Sequence, residues 1–353
     1  MKITRIHISE LDASLINSWK TIRHCNPELA NPYFAVEYLQ AVASVKENVF
    51  VGVMEESAEV VGFVAWEEKG RGIAGPVGAR LSDYQGLIIS QQQTWSADEL
   101  MRACGIKVWD FDHLLKSQLS PSSSFVVTHF SPTIDLANGY QEYLQQMKQR
   151  GVKRLFQFQR KQRKFERELG PLDFQLHVDD DIAFEKVIEW KNQQCRATGV
   201  PEFMSWPWVR GMLEQIRTIR GDDFSAMLSV LGHEGEIVAA HFGIKSREVI
   251  HWWFPVYNHG YGKYSPGGIL LLKLMEAASA EGIKSIDLGK GDDVYKESFA
   301  NGGVEIAEGS FMLPSYQAFN RRLVTGVDSF LRDSAVMAPV RQIARSAKGL
   351  LRR

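Results

Sequence analysis

The chain has little cysteine: Cys25, Cys104 and Cys195 are the only three in 353 residues. An odd number of widely spaced thiols, none with a partner at metal-ligand spacing, excludes a disulfide framework and gives no reason to expect zinc or any other metal. The chain also lacks a charge excess, with 41 Lys and Arg against 42 Asp and Glu, which argues against a protein that binds nucleic acid over its whole surface. It has no uninterrupted run near the ~20 apolar residues of a membrane span. The first residues, MKITRIHISELDA, hold no apolar h-region, so the expected location is cytoplasmic, extending to the inner face of the membrane. At 44% hydrophobic and 11% aromatic, the chain is long enough to build two domains, each with its own core.

What is present is concentrated between His251 and Phe299. An aromatic strand, HWWFPVY, leads through Tyr264-Ser-Pro-Gly-Gly into a long apolar helix, then through Ser285-Ile-Asp-Leu-Gly into Gly291-Asp-Asp-Val-Tyr-Lys. The helix start carries a hydroxyl at its natural N-cap, Ser265, a proline where a missing N–H costs least, Pro266, and two glycines, Gly267 and Gly268, that allow close backbone approach. Unpaired N–H groups and the positive end of the helix dipole favour an anion there, and phosphate is the expected guest, at Gly267, Gly268 and Ile269. Any well-capped helix start looks similar, so the surroundings carry the functional weight.

Ahead of this helix, strands are predicted over Phe224–Leu231, Ile237–Ser246 and Val249–Tyr257, joined by short polar turns as in a β-meander. On the second strand, alternation sets His241 on the face opposite Val238, Ala240, Phe242 and Ile244. After the helix come a strand over Ile283–Leu288, a short helix over Tyr295–Ala300 and a strand over Val304–Leu313, and helical patterns over Ile182–Ala197 and Trp206–Arg220 precede the meander.

This order, with Ala240-His-Phe-Gly, His251-Trp-Trp-Phe, Tyr264-Ser-Pro-Gly-Gly, Asp287-Leu-Gly-Lys-Gly-Asp-Asp and Tyr295-Lys-Glu-Ser-Phe, resembles the GNAT N-acyltransferase superfamily. It resembles in particular the branch of CelD-type exopolysaccharide acetyltransferases and, more remotely, the FemAB peptidyltransferases. The superfamily's usual phosphate turn appears here as Lys263-Tyr-Ser-Pro-Gly-Gly, with proline in place of its first glycine. The resemblance implies an acyl-CoA co-substrate and a small-molecule acceptor, an amino sugar or nucleotide sugar of surface-polysaccharide assembly; tRNA enters only in a FemAB-like alternative that acts on a cell-wall precursor. A non-catalytic GNAT-like scaffold is the third possibility.

The first half is a mixed α/β segment, with a helix over Tyr33–Ser44, a hairpin of Val49–Met54 and Val60–Trp66, and strands over Leu87–Ser90, Lys107–Phe111 and Phe125–Phe130. Its Leu81-Ser-Asp-Tyr-Gln-Gly run resembles a motif carried ahead of the acyltransferase domain in the polysaccharide-linked branch. The glycine-rich stretch at 70–78 leads into a loop rather than a helix and is no nucleotide cradle. The expected fold is α/β (α+β): tandem GNAT-like domains, each a mixed, mostly antiparallel sheet flanked by helices. The expected division is 1–147 as an N-terminal GNAT-like domain, 148–170 as a basic connecting helix, 171–315 as the catalytic domain and 316–353 as a basic amphipathic tail. That tail, with Leu323, Val327, Phe330, Val340, Ile343 and Leu350 as its apolar stripe, suits either the protein's own body or an anionic membrane surface. In the connecting helix, Arg160, Lys161, Arg163 and Lys164 alternate with phenylalanines, a solvated face with an apolar docking side.

For the chemistry, direct acyl transfer needs a base for the acceptor amine and an acid for the leaving thiolate. Asp287, mid-strand, and His241 are the candidate bases; burial is expected to lift the carboxylate toward neutrality. Tyr295 is the candidate acid. Pantetheine is placed along Phe254 to Val256, where a backbone N–H would meet the oxyanion, with Lys263, Ser265, Gly267, Gly268 and Ile269 at the pyrophosphate. Trp252, Lys290, Asp292 and Lys296 are the candidate acceptor-binding residues.

Overall fold

The structure, a computed structural model, describes residues 1–120, 123–291 and 293–321. Asp292 and the expected tail from 322 onward lie outside the described residues.

The first half runs β1 (Lys2–His7), α1 (Ala13–Cys25), α2 (Val36–Ala43), β2 (Val49–Glu56), β3 (Glu59–Gly70), β4 (Ile73–Gly75), β5 (Leu87–Ile89), α3 (Ala97–Ala103), β6 (Val108–Leu115) and β7 (Ser123–Asp135). Two helices follow, α4 (Tyr140–Gln149) and α5 (Lys153–Glu168). The second half runs β8 (Asp173–Gln175), α6 (Asp181–Thr198), α7 (Pro207–Thr218), β9 (Ser225–His233), β10 (Glu236–Lys245), β11 (Val249–Tyr257), α8 (Pro266–Ala280), β12 (Ser285–Asp287), α9 (Val294–Phe299) and β13 (Gly302–Met312). The predicted elements of the second half appear with their ends shifted by a few residues. The connecting helix differs: Gly151, in left-handed backbone at φ +72°, ends α4 and separates it from α5, because glycine takes that conformation without a side-chain clash.

All strands join one mixed, mostly antiparallel sheet in the order β1-β2-β3-β4-β6-β13-β7-β12-β11-β10-β9-β8, with β5 beside β3. Each half contributes one parallel junction, β4 with β6 and β11 with β12. The final strands are exchanged. β13, from the second half, pairs with β6 of the first, and β7, from the first half, pairs with β12 of the second. β7 and β13 pair with each other from Thr133↔Gly302 to Ser123↔Phe311, so continuous hydrogen bonding crosses the molecule.

Helices cover both faces. One core packs α1, α2, α6 and α7 residues such as Trp19, Tyr38, Phe184 and Leu213 against Phe63, Phe242 and Trp253 of the sheet. The other packs α4, α5 and α8, through Tyr143, Phe158, Phe165, Leu271 and Met275, against Met227, Ile250 and Trp252. Burying such side chains contributes about 1.5–3 kcal/mol each. Among the described residues, no helix is long and apolar enough to cross a membrane.

Candidate active site at the parting of two strands

β11 pairs with β10 along most of its length but with β12 only over Val249↔Ser285, Ile250↔Ile286 and His251↔Asp287. Beyond His251, no strand among the described residues covers that edge, so Trp252 to Tyr257 present an open line of backbone groups. A bulge re-aims this stretch: Phe242↔Phe254 and Ile244↔His251 are two residues apart on β10 and three apart on β11. The extra residue turns Trp253 and Phe254 into the same core, with ring centroids 4.5 Å apart.

His251 and Asp287, the last pair before the strands part, anchor a buried polar cluster. Asp287 is 2% exposed. Its Oδ2 accepts from the Tyr84 hydroxyl at 2.5 Å, and its Oδ1 accepts from the Ser131 hydroxyl at 3.0 Å and the Gly289 N–H at 2.7 Å. His251 Nδ1 lies 3.4 Å from the same Oδ1, an ion-pair contact short of hydrogen-bond geometry. On its other side, His251 Nε2 bonds Asp83 Oδ2 at 2.9 Å, and the Tyr33 ring packs edge-on at 5.0 Å. Burial alone would push the His251 imidazole down; Asp287 and Asp83, by contact and by charge, outweigh it and hold the ring at about 9.

The same cluster reverses one expectation. Burial does push Asp287 up, but His251, Tyr84 and the Gly289 N–H outweigh it and hold the carboxyl below its ordinary value. Asp287 is a saturated anion, and its occupied lone pairs leave little room to take a proton from substrate. His241, the other candidate base, also differs from expectation. It is fully buried on the side of the sheet that carries α8, stacked 4.1 Å from Trp252, with neither ring nitrogen hydrogen-bonded. Burial first, then the charge of His251, lowers it to about 3, so it does not titrate near neutrality.

Tyr295 stands on α9 with its hydroxyl beside the Trp252 indole; burial, then the charge of Asp293, raises it. Trp252 Nε1 itself is buried without an acceptor. Lys296 is buried rather than solvated: its ammonium donates to the carbonyls of Gly289 and Lys290, both at 3.1 Å, and lies 3.4 Å from Asp293. It thereby fixes the turn that follows Asp287. Lys290 reaches back to the Asp112 carbonyl at 3.5 Å and Glu308 at 3.4 Å.

The helix mouth is narrower than its sequence promised. Ser265 adopts left-handed backbone, φ 55°, and its hydroxyl caps nothing; it accepts from Lys161 at 2.5 Å instead. Pro266 has no N–H, and the Gly268 and Ile269 N–H groups return to the Ser265 carbonyl at 3.0 and 3.3 Å. Gly267 keeps a first-turn N–H with no backbone acceptor. Gly268 serves packing: a Cβ there would sit 2.3 Å from the Phe158 ring of α5, whereas at Gly267 the nearest atom is 3.8 Å away. Lys263 is exposed nearby, 3.8 Å from Glu168. Phe254 and Val256 are buried, and they share the parity of Asn258, whose N–H donates to the Val238 carbonyl at 3.0 Å, so their N–H groups face β10 and not the open edge, contrary to expectation.

Asp83, Tyr84, Ser131 and His251 were not among the candidate residues. His251 and the Ser82-Asp-Tyr-Gln run were visible as motif residues, but nothing in their spacing placed one beside the other. Lys191 on α6 was also missed; burial lowers it, and its ammonium lies 6.0 Å from the Phe254 ring with Gln194 Oε1 at 3.4 Å as its polar partner.

Comparison with known proteins agrees with this geometry. Residues 152–297 match the family model described as the acetyltransferase (GNAT) domain. Among solved structures, the chain is similar to FemX, with TM-score 0.56 and 10% identity, covering 89% of this chain and 98% of that one. It is also similar to the C-terminal domain of a putative lysylphosphatidylglycerol synthetase from Agrobacterium fabrum, with TM-score 0.54 and 13% identity, covering 88% and 96%. At such identities the likeness is one of fold. No curated protein matches the chain.

Proposed function

We propose that the chain is an N-acyltransferase that moves an acyl group from a CoA thioester to a primary amine, on an amino sugar, at the point where β11 and β12 part. The observation that carries this is the open edge of β11 from Trp252 to Tyr257, running from the His251–Asp287 cluster toward the start of α8. Pantetheine amides add to such an edge as a further strand would. The pyrophosphate then meets the Gly267 N–H, Lys161 and Lys263, two cations replacing the N–H groups that the mouth has lost. The thioester carbonyl falls at the bulge, where an outward-facing backbone N–H of β11 takes up the oxyanion, a donor type worth about 3 kcal/mol. Tyr295, beside Trp252, gives the leaving sulfur its proton. The Lys296-pinned turn and Lys290 border the acceptor side. The amino sugar rests on the sequence resemblance to exopolysaccharide acetyltransferases.

The test is thiol release from acetyl-CoA and longer acyl-CoAs across a panel of amino sugars, nucleotide-linked and free, with thermal unfolding alongside. A donor at a hundred times its Kd adds about 2.7 kcal/mol to stability. Neither thiol release nor a shift with any CoA removes this reading.

One observation favours a second reading, aminoacyl transfer from tRNA to a cell-wall precursor as in FemAB enzymes. Phe158 fills the space above Gly268, and Arg154, Arg160 and Arg163 of the same helix, α5, are exposed. A shift with aminoacyl-tRNA and none with acyl-CoA would select it.

A further inference from the structure

We infer that Asp83, carried by the first half of the chain, is the residue that receives the acceptor amine and takes its proton; this rests on the acyl-transfer reading above. Three observations place it. Asp83 is the accessible member of the polar cluster: its side chain is 25% exposed, against 1% for His251 and 2% for Asp287. Its two oxygens are unequally used. Oδ2 is held by His251 Nε2 at 2.9 Å, while Oδ1 has His113 Nε2 at 3.8 Å and no hydrogen bond from a described residue. Its carboxylate also lies against the turn after β12: a Cβ on Gly289, where φ is +71°, would come within 3.2 Å of Oδ2. Asp83 thus stands at the last β11–β12 pair with a free oxygen, where an acceptor must approach the thioester.

The surrounding charges fit this role. His251 on β11, His113 on β6, Asp287 on β12, and Tyr33, Tyr38 and Tyr84 are the titratable groups around it; Asp112 adjoins His113, and Lys290 reaches the Asp112 carbonyl. With His251 cationic between two carboxylates, the triad carries a net single negative charge, which attracts an ammonium. His251, already protonated near neutrality, orients Asp83 and cannot itself be the base. In the reaction, the acceptor ammonium loses one proton to Asp83 Oδ1, which passes it to water. As the C–N bond forms, the C–S bond breaks and the sulfur leaves with its electron pair; Tyr295 protonates that sulfur and is reprotonated by the second nitrogen proton. The transfer from ammonium to carboxylate is uphill and is drawn forward as attack on the thioester consumes the neutral amine.

The experiment is Asp83→Asn in the full chain, with Asp83→Glu beside it, measured by thiol release and by acyl-CoA thermal shift. The expected result is a loss in kcat of about 10²- to 10⁴-fold for Asp83→Asn, an unchanged acyl-CoA shift, and partial recovery in Asp83→Glu. A structural role is separated by hydroxylamine, a nucleophile largely unprotonated at neutral pH: it needs no base to become neutral, so its deficit in Asp83→Asn should be much smaller than that of an alkylammonium acceptor. Equal deficits for both nucleophiles, or a kcat within about threefold of the parent, overturn the inference while leaving acyl transfer standing. A parent protein that neither releases thiol nor shifts with acyl-CoA fails the earlier reading instead, and Asp83 with it.

Discussion

The two halves repeat one order of elements and differ where a site would be. Each has a strand, two helices, a meander, a helix, and a strand laid parallel to the meander's last. In the second half that last strand, β11, is continuous and bulged, and its free edge runs on past β12. In the first half the equivalent line beside β3 is broken: β4 pairs with β3 at Glu67–Gly70, β5 pairs with it at Gly62–Val64, and between them residues 76–84 leave the sheet before Gln85 bridges Leu114 of β6. The helix starts differ as well. α3 begins with Ser96 capping Glu99 and with Asp98 and Glu99 in its first turn, carboxylates that repel phosphate. α8 begins with Pro-Gly-Gly, no acid in its first turn, and Lys161 on Ser265. The first half has no such open edge, and the excursion that breaks it brings Asp83 and Tyr84 to the candidate site of the second half. One candidate site thus draws on both halves.

The most forceful way to break this comparison is to separate the halves. A fragment of residues 171–321 keeps β12 and β13 but loses β7, which lies between them, and both strands lose a partner. It should show no cooperative thermal transition, whereas the chain nicked near Gly170 should remain one particle on size exclusion.

Next in size is the pH response of the cluster. The folded value of His251 lies above its ordinary 6.5, at about 9, so its contribution is fully present below about 6.5 and disappears as pH rises through about 9. The contribution is on the order of 3 kcal/mol. Denaturant titrations should show stability falling across that window in the parent and flat in His251→Gln. Asp287, held low, works in the opposite sense: its stabilisation is lost as pH falls through its depressed folded value.

Gly267 and Gly268 sharpen the difference between ligand space and packing space. Gly268→Ala should cost about 1–3 kcal/mol in chemical denaturation through the clash with Phe158. Gly267→Ala should be neutral or stabilising by up to about 1 kcal/mol, since its Cβ meets only ordinary contact. Equal effects at both positions would mean that α5 does not pack where it is described.

The smallest expected effect is at Lys161. Lys161→Met should weaken acyl-CoA binding by less than about tenfold, read as a smaller thermal shift, because a part-exposed cation is screened by solvent. No change would leave Gly267 and Lys263 as the whole phosphate contact.

Much of the second half was legible because its signals are local. Period-two alternation marked β10, an aromatic run marked β11, Ser-Pro-Gly-Gly marked the start of α8, and a near-unbroken apolar run marked a helix buried on several faces. β1, α1 and α3 escaped, and so did the break at Gly151, because a charged helix reads the same whether or not one glycine inside it turns left-handed.

The candidate site divides along the same line. The chain alone determined where an open strand edge, a glycine-rich helix start and a tyrosine-bearing short helix follow one another, since each is a property of consecutive residues. The ionisation of Asp287 and His241, the packing duty of Gly268, and the meeting of Asp83 with His251 across 168 positions of sequence were decided only by the folded structure. Proton affinity and free volume depend on neighbours in space, and the exchange of β7 and β13 chooses those neighbours.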